Sequence, residues 1–275
     1  MTMTTILGID AAWTATEPSG IALVQRRASR WRCVAVAPSY AAFEGQVEGN
    51  APDWSRPAVG SAPDAANLLQ AAMKLAGEPV TLVTIDMPVA TSPILGRRTA
   101  DQEVSRAFGA QWCSAHSPNQ VRPGALGAKL SRQFNEQRYP IATAATLPGS
   151  THRLVEVYPH PALLMLLDRK RRVPYKVSKA SRYWKKASIP ERIRCLLSEF
   201  ANVHHGLAQY IDDISVHMPR ACEVKTLAAL KPFEDALDAL VCCWVGCEYL
   251  AGTAYPLGDD TAAVWCPRAD NRQEE

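Results

Sequence analysis

Three aspartates stand where acidic chemistry could be done. Asp10 closes the apolar run Thr5 to Asp10 (TILGID), and Asp86 closes the run Pro79 to Asp86 (PVTLVTID). In open α/β sheets, ligands bind outside the carboxyl ends of the strands. If the two strands are parallel neighbours, the carboxylates converge across one strand spacing, ~4.8 Å at the backbone. Two carboxylates that close repel unless a shared proton or a cation neutralises them. Their oxygens suit a hard divalent cation, Mg2+ or Mn2+. One Asp at a strand end reads as a turn cap; two in the same relation to apolar strands point to a site.

The third group comes from Glu234-Asp235-Ala236-Leu237-Asp238, followed by the apolar ALVCCWV. Asp235 and Asp238 stand at i, i+3 on one face of a predicted helix. A carboxylate on a packed helix is costly to bury without a partner. Asp238 lies deeper in the apolar run and is the expected ligand beside Asp10 and Asp86. Asp235 either joins it or sits favourably near the helix N-terminus. Glu156, between Val155 and Val157, points to the opposite strand face from them. It is read either as a solvent-facing position or as a catalytic residue, a fourth metal ligand or a group that supports the ligands. His160, after a Tyr-Pro break, is read either as a proton-transfer group or as a structural histidine.

The elements that must position these residues follow from the apolar runs. Thr5 to Asp10, Gly20 to Gln25 and Arg32 to Ala37 are strands joined by short connections, hence an antiparallel meander. Pro38 to Pro63 reads as a loop, and Ser61 to Gly77 as an amphipathic helix ending on glycine. Pro79 to Asp86 and Thr151 to Tyr158 read as buried strands reached by crossovers. Pro161 to Asp168, Ser188 to Phe200 and Pro232 to Ala251 read as helices, and Ala262 to Cys266 as a short edge strand. The order excludes a Rossmann fold, which begins β-α-β and carries GxGxxG. It predicts an α/β fold of ribonuclease-H-like topology: a mixed five-stranded sheet, flanked by helices, its later strands parallel to the first. The chain is read as one domain over 1–275, with insertions at about 97–150 and 168–232.

The 275 residues carry 30 Lys and Arg against 27 Asp and Glu, so net charge argues for no particular partner. The eight cysteines contain no CxxC pair, which argues against a zinc ribbon and for reduced thiols. MTMTTILGID lacks the pattern of a secretory signal, and the longest apolar run, Ala236 to Ala251, is too short and polar to span a bilayer. The expected compartment is the cytoplasm.

Four blocks in order, GID at the N-terminus, IDMP followed by GRRTADQEVSR, VEVYPHP and EDALDAL, resemble a prokaryotic family, domain of unknown function 429. That family is described as predicted ribonuclease-H-like nucleases. The resemblance runs from Gly8 to about Pro267, and the last block also resembles the final acidic helix of Holliday-junction resolvases. It implies that Asp10 is the first-strand acid, Asp86 the fourth-strand acid, and Asp235 and Asp238 the paired acids of the last helix. Many members of that superfamily carry a small residue and Gly after the first acid, whereas Asp10 is followed by Ala11-Ala12-Trp13-Thr14. Trp13 either stacks on a base or packs in the core.

Two basic stretches are candidates for a nucleic-acid backbone. Gly96 to Arg106 carries Arg97, Arg98 and Arg106, alternatively a surface salt-bridge network with Asp101. Arg169 to Lys186 holds nine basic residues and no acidic one, including Arg171, Arg172, Lys176, Lys185 and Lys186, interleaved with Tyr175, Tyr183 and Trp184. The expected activity is metal-dependent hydrolysis of phosphodiester bonds in DNA or RNA, Asp10 bridging two ions and Asp86 and Asp238 each holding one side. The rival readings are a non-catalytic nucleic-acid-binding domain and an actin-like phosphotransferase relative. The latter needs a second copy of the domain and a Gly/Thr-rich phosphate hairpin, and neither is in the sequence.

Overall fold

A computed structural model describes residues 3–268. Its strands are β1 (Thr4–Asp10), β2 (Gly20–Arg27), β3 (Arg30–Ala37), β4 (Leu82–Ile85), β5 (Leu154–Val157), β6 (Ile211–Asp212), β7 (Ala254–Gly258) and β8 (Ala263–Pro267). Its helices are α1 (Tyr40–Gly45), α2 (Ala65–Ala76), α3 (Thr99–Phe108), α4 (Ala125–Glu136), α5 (Pro159–Leu166), α6 (Ala180–Tyr183), α7 (Ile189–Ala208) and α8 (Lys231–Leu250). All strands join one mixed sheet in the order β6-β3-β2-β1-β4-β5-β8-β7. β1, β2 and β3 form the antiparallel meander, and β4 and β5 run parallel to β1.

The expected sheet of five strands is corrected to eight. β6 adds a two-residue parallel rung to β3; β8 pairs in parallel with β5, and β7 pairs antiparallel with β8. The run ending at Cys266 is therefore an inner strand, because the five residues of β7 cover its far side. The stretch 38–63, expected as a loop, contains α1, started by the Ser39 hydroxyl accepting the Ala42 N–H at 3.2 Å. Nothing between these strands carries a helix long and apolar enough to cross a membrane, among the described residues.

Strand alternation divides the core between two faces. Leu7, Ile9, Val83 and Ile85 pack with Phe43, Leu68, Leu130 and Phe134 from α1, α2 and α4. Ile6, Leu82, Val155 and Val157 face the other way, toward α5, α7 and α8. α8 is buried around almost its whole circumference because β1, β2 and β4 lie beneath it and α5 and α7 cover its back. The close approach depends on glycines. A Cβ on Gly20 would lie 2.1 Å from the Asp235 carbonyl oxygen, and one on Gly8 2.4 Å from that of Ala239. On the helix side, a Cβ on Gly246 would meet Ile6 and Thr84 at 2.9 Å.

Candidate active site at the ends of β1 and β4

Period two assigns Asp10 to the same face as Ile6 and Gly8, the α8 face. β1 and β4 are hydrogen-bonded parallel neighbours with Ile9 opposite Ile85, and the Asp86 N–H donates to the Ile9 carbonyl at 2.8 Å. Asp86 thus leaves the sheet one residue past β4, beside Asp10. Opposite them, Gly20 pairs with Asp10 in the β1–β2 ladder and carries the Asp235 backbone against it. The first turns of α8 are held over the strand ends, with Glu234, Asp235 and Asp238 all buried.

Two lysines answer this acidic group. The Lys176 ammonium makes a close ion pair with Asp238 and lies 3.4 Å from Glu234. Lys231 pairs with Glu234 at 2.9 Å and closely with Asp235, one turn along the same helix. The Tyr175 hydroxyl donates to Asp238 at 2.5 Å, and the Val177 N–H donates to Glu234 at 2.5 Å. Residues 175–177 are therefore fastened to α8 at three consecutive points. One Asp235 oxygen, Oδ2, is buried with no partner. The carboxylates of Asp10 and Asp86 have no hydrogen-bond or ion-pair partner among the described residues.

Five carboxylates facing two ammonium groups leave excess negative charge, and the proton affinities show it. Burial, then the charge of Asp10, holds the Asp86 carboxyl well above its ordinary range. Burial raises Asp238 to about 6 even though Lys176 opposes the shift. Asp235 is raised well above its usual value by burial, with Asp10 and Glu234 adding to the effect and Lys231 opposing it. Against burial, Lys176 and Lys231 hold Glu234 below its ordinary value. Burial works against the Lys176 charge too, but Asp238, Tyr175, Glu234 and Asp10 together keep its proton well above the usual lysine range.

Residues 8–263 match the family model described as Protein of unknown function (DUF429). The chain belongs to this family. No curated protein and no solved structure matches it. The DUF429 description carries no activity, so the chemistry must be read from the site.

In this DUF429 chain a cavity of about 260 Å3 opens beside Asp86, lined by Trp13, Glu156, His160, Arg172, Lys176 and Lys179 among others. Trp13 is half-buried against the core around Ile9, in line with the core reading, and also lines the cavity. Glu156 is not solvent-facing. It is 4% exposed and accepts two guanidinium N–H groups from Arg98 at 2.6 and 2.7 Å and the Val89 N–H at 3.0 Å. Because Val155 and Val157 face α8, Glu156 points away from the acids of that helix.

Arg98, expected at a phosphate backbone, is instead a buried clamp. It joins Glu156 to Asp101 (2.7 Å) and donates to the Val89 carbonyl at 2.7 Å. Arg106 is exposed and takes no part in that network. Arg97 ties the loop after α3 down, donating to Ser105, Ser117 and the Asp101 carbonyl. Arg171 stacks over Trp112 with 4.8 Å between guanidinium carbon and ring centre. Lys185 and Lys186 are exposed and lie outside the cavity wall. Arg172 and Lys176 do line it, Lys176 facing carboxylates and not solvent.

His160 lies in the first turn of α5, edge-on to the rings of Tyr158 and Tyr175, with Nε2 against the Arg172 guanidinium. Burial, then Arg172 and Lys176, pushes its pKa well below the ordinary histidine value. A neutral ring accepting through Nε2 carries its proton on Nδ1, and that atom is buried without a partner. Tyr175, Glu234 and Lys231 were not among the expected site residues. The spacing Lys231, Glu234, Asp235, Asp238 could have revealed two of them, since i, i+3 and i+4 residues share a helix face. Tyr175 carries no such signal.

Proposed function

We propose that this protein is a divalent-metal-dependent hydrolase of phosphodiester bonds in nucleic acid, built on a ribonuclease-H-like frame. The observation that carries the reading is the pair Asp10 and Asp86, two adjacent, unpartnered carboxylates at the ends of parallel strands under an acidic helix. The antiparallel meander, the parallel strands beyond β1 and the final acid-bearing helix support the frame. All eight cysteines are unpaired, which supports a reducing compartment such as the cytoplasm.

No group of three or more His, Cys, Asp or Glu side chains is placed to hold a metal ion among the described residues. The donor chemistry nonetheless fits one hard cation. Asp10 and Asp86 are free to bind it, Asp235 has a free buried oxygen, and crowding has left Asp86 short of positive charge. Asp10 and Asp86 would hold the ion as a pair. A bound Mg2+ or Mn2+ supplies Lewis acidity and activates water toward phosphorus. Lys176 places a fixed positive charge among the same acids, so the expectation of two ions is revised to one ion and one ammonium group. Tyr175 and Asp238 hold that lysine in place. Arg172 and Lys179 supply cations for the phosphate, and Arg171, Lys185 and Lys186 remain exposed for the strand beyond it.

One observation favours the second reading, a non-catalytic nucleic-acid-binding domain: both oxygens of Asp238 are already engaged, by Tyr175 and Lys176. Labelled single strands, duplexes and branched junctions incubated with Mg2+, Mn2+ or EDTA decide between the two. Metal-dependent cleavage lost in Asp10→Asn supports the hydrolase. Tight binding with no cleavage of any of them supports the binding domain.

A further inference from the structure

The cavity wall beyond Asp86 carries positive charge that no carboxylate answers. Arg98, Lys176 and Lys231 are each ion-paired, but Arg172 and Lys179 have no ion-pair partner among the described residues. Arg172 is held in place. Its backbone N–H donates to the Gln111 carbonyl at 2.8 Å, its guanidinium lies against His160 Nε2, and its Nε is buried with no partner. His160, 4% exposed, keeps a second unpartnered nitrogen in the same wall. His116, also on the wall, is held below its ordinary pKa by burial and then by Arg172, Lys179 and Arg122. A partly buried cation is costly until an anion pairs with it.

We propose that this corner is a receptor for a phosphate monoester, with Arg172 and Lys179 gripping its oxygens and His160 fixing the Arg172 fork. A planar guanidinium beside an ammonium matches a tetrahedral dianion, which offers several acceptor oxygens at once. The cavity, about 260 Å3, falls below the roughly 300–1,000 Å3 of pockets that enclose whole drug-sized ligands. It therefore takes a group and not a length of strand. The group would be the terminal phosphate of a strand or the phosphate of a mononucleotide. As a binding site this stands on its own; as a statement about substrate it rests on the hydrolase reading above.

The test is calorimetric titration of the full-length protein in EDTA with inorganic phosphate. Saturable binding is expected, weakened about tenfold or more in Arg172→Gln and in Lys179→Gln, since a hydrogen bond to a charged group contributes about 1.5–3 kcal/mol. Arg220→Gln, which breaks an exposed pair with Glu223, should bind as wild type does. If Arg172→Gln does not fold, Lys179→Gln carries the comparison. No saturable binding, or equal affinity in wild type and the two cavity variants, overturns the proposal.

Oligonucleotides with and without a 5′-phosphate, and a nucleoside monophosphate, then identify the source. A strand bound only when phosphorylated marks a strand end, and binding of the monophosphate alone marks a free nucleotide. Equal binding of both oligonucleotides overturns the proposal. Metal-dependent cleavage without phosphate binding removes this inference and leaves the hydrolase; phosphate binding without cleavage does the reverse.

Discussion

Asp86 has no partner for its carboxylate, and burial together with Asp10 makes its ionised form unfavourable. Asparagine keeps its size and removes the charge. Asp86→Asn should therefore raise the melting temperature of the metal-free protein at pH 8, with each 1 kcal/mol worth about 2–4 °C in a chain of this size. Scanning fluorimetry in EDTA checks this, and a lower melting temperature would show that ionised Asp86 makes a stabilising contact. His160 gives the opposite pH signature. Its folded pKa is depressed, so the unfolded state binds the extra proton between the ordinary value of 6.5 and the lower folded one. Its contribution is present in full above pH 6.5 and is lost as pH falls through that window, by up to about 1.36 kcal/mol per pH unit. Denaturant titrations of wild type and His160→Asn from pH 8 to 5 should differ in slope only below about pH 6.5. Parallel curves would mean that His160 takes up its proton at the same pH folded and unfolded.

At the scale of elements, the approach of α8 to β1 and β2 sets the site. Gly20→Ala places a methyl group 2.1 Å from the Asp235 carbonyl oxygen, so either the helix or the strand must move. The expected cost is at least about 1–3 kcal/mol, and the acids of α8 should shift relative to Asp10. Chemical denaturation reads the first effect; a wild-type midpoint would show that the interface yields freely. The Arg98 clamp makes a second case. Arg98→Met strands Glu156 and Asp101 as buried acids and should cost about 3–5 kcal/mol, as breaking a buried pair does. A loss below about 0.5 kcal/mol, the range of ordinary surface substitutions, would place Arg98 at the surface after all.

The strands and the three acids were legible because each acid ends an apolar run or interrupts one. The partners of those acids were not. Lys176 lies in a run whose charge density reads as a nucleic-acid footprint, and only the fold shows that Tyr175, Lys176 and Val177 turn inward onto α8. Glu156 was legible as facing away from Val155 and Val157, but its burial depends on Arg98, far away in the chain. β7 and β6 were missed because β7 is interrupted by Pro256 and β6 is two residues long, so neither offers an apolar alternation to read.

Across the whole molecule, the eight-stranded sheet gathers its charge chemistry at one end. Asp86 at the end of β4, Trp13 beyond β1, the first turn of α8 and the segment 172–179 meet around one cavity, acidic toward Asp86 and basic toward Arg172. That division suits a substrate carrying phosphate, one side taking a cation and the other the anion. On the acidic side, the proposed hydrolase stands or falls with a divalent-cation site formed by Asp10 and Asp86. Titration of the metal-free protein with Mn2+, followed by the electron paramagnetic resonance of the free ion, tests it directly. One tightly bound Mn2+ per chain is expected, lost in Asp10→Asn and in Asp86→Asn while both variants remain folded. No stoichiometric binding by the wild type, or binding that survives both substitutions, would contradict it.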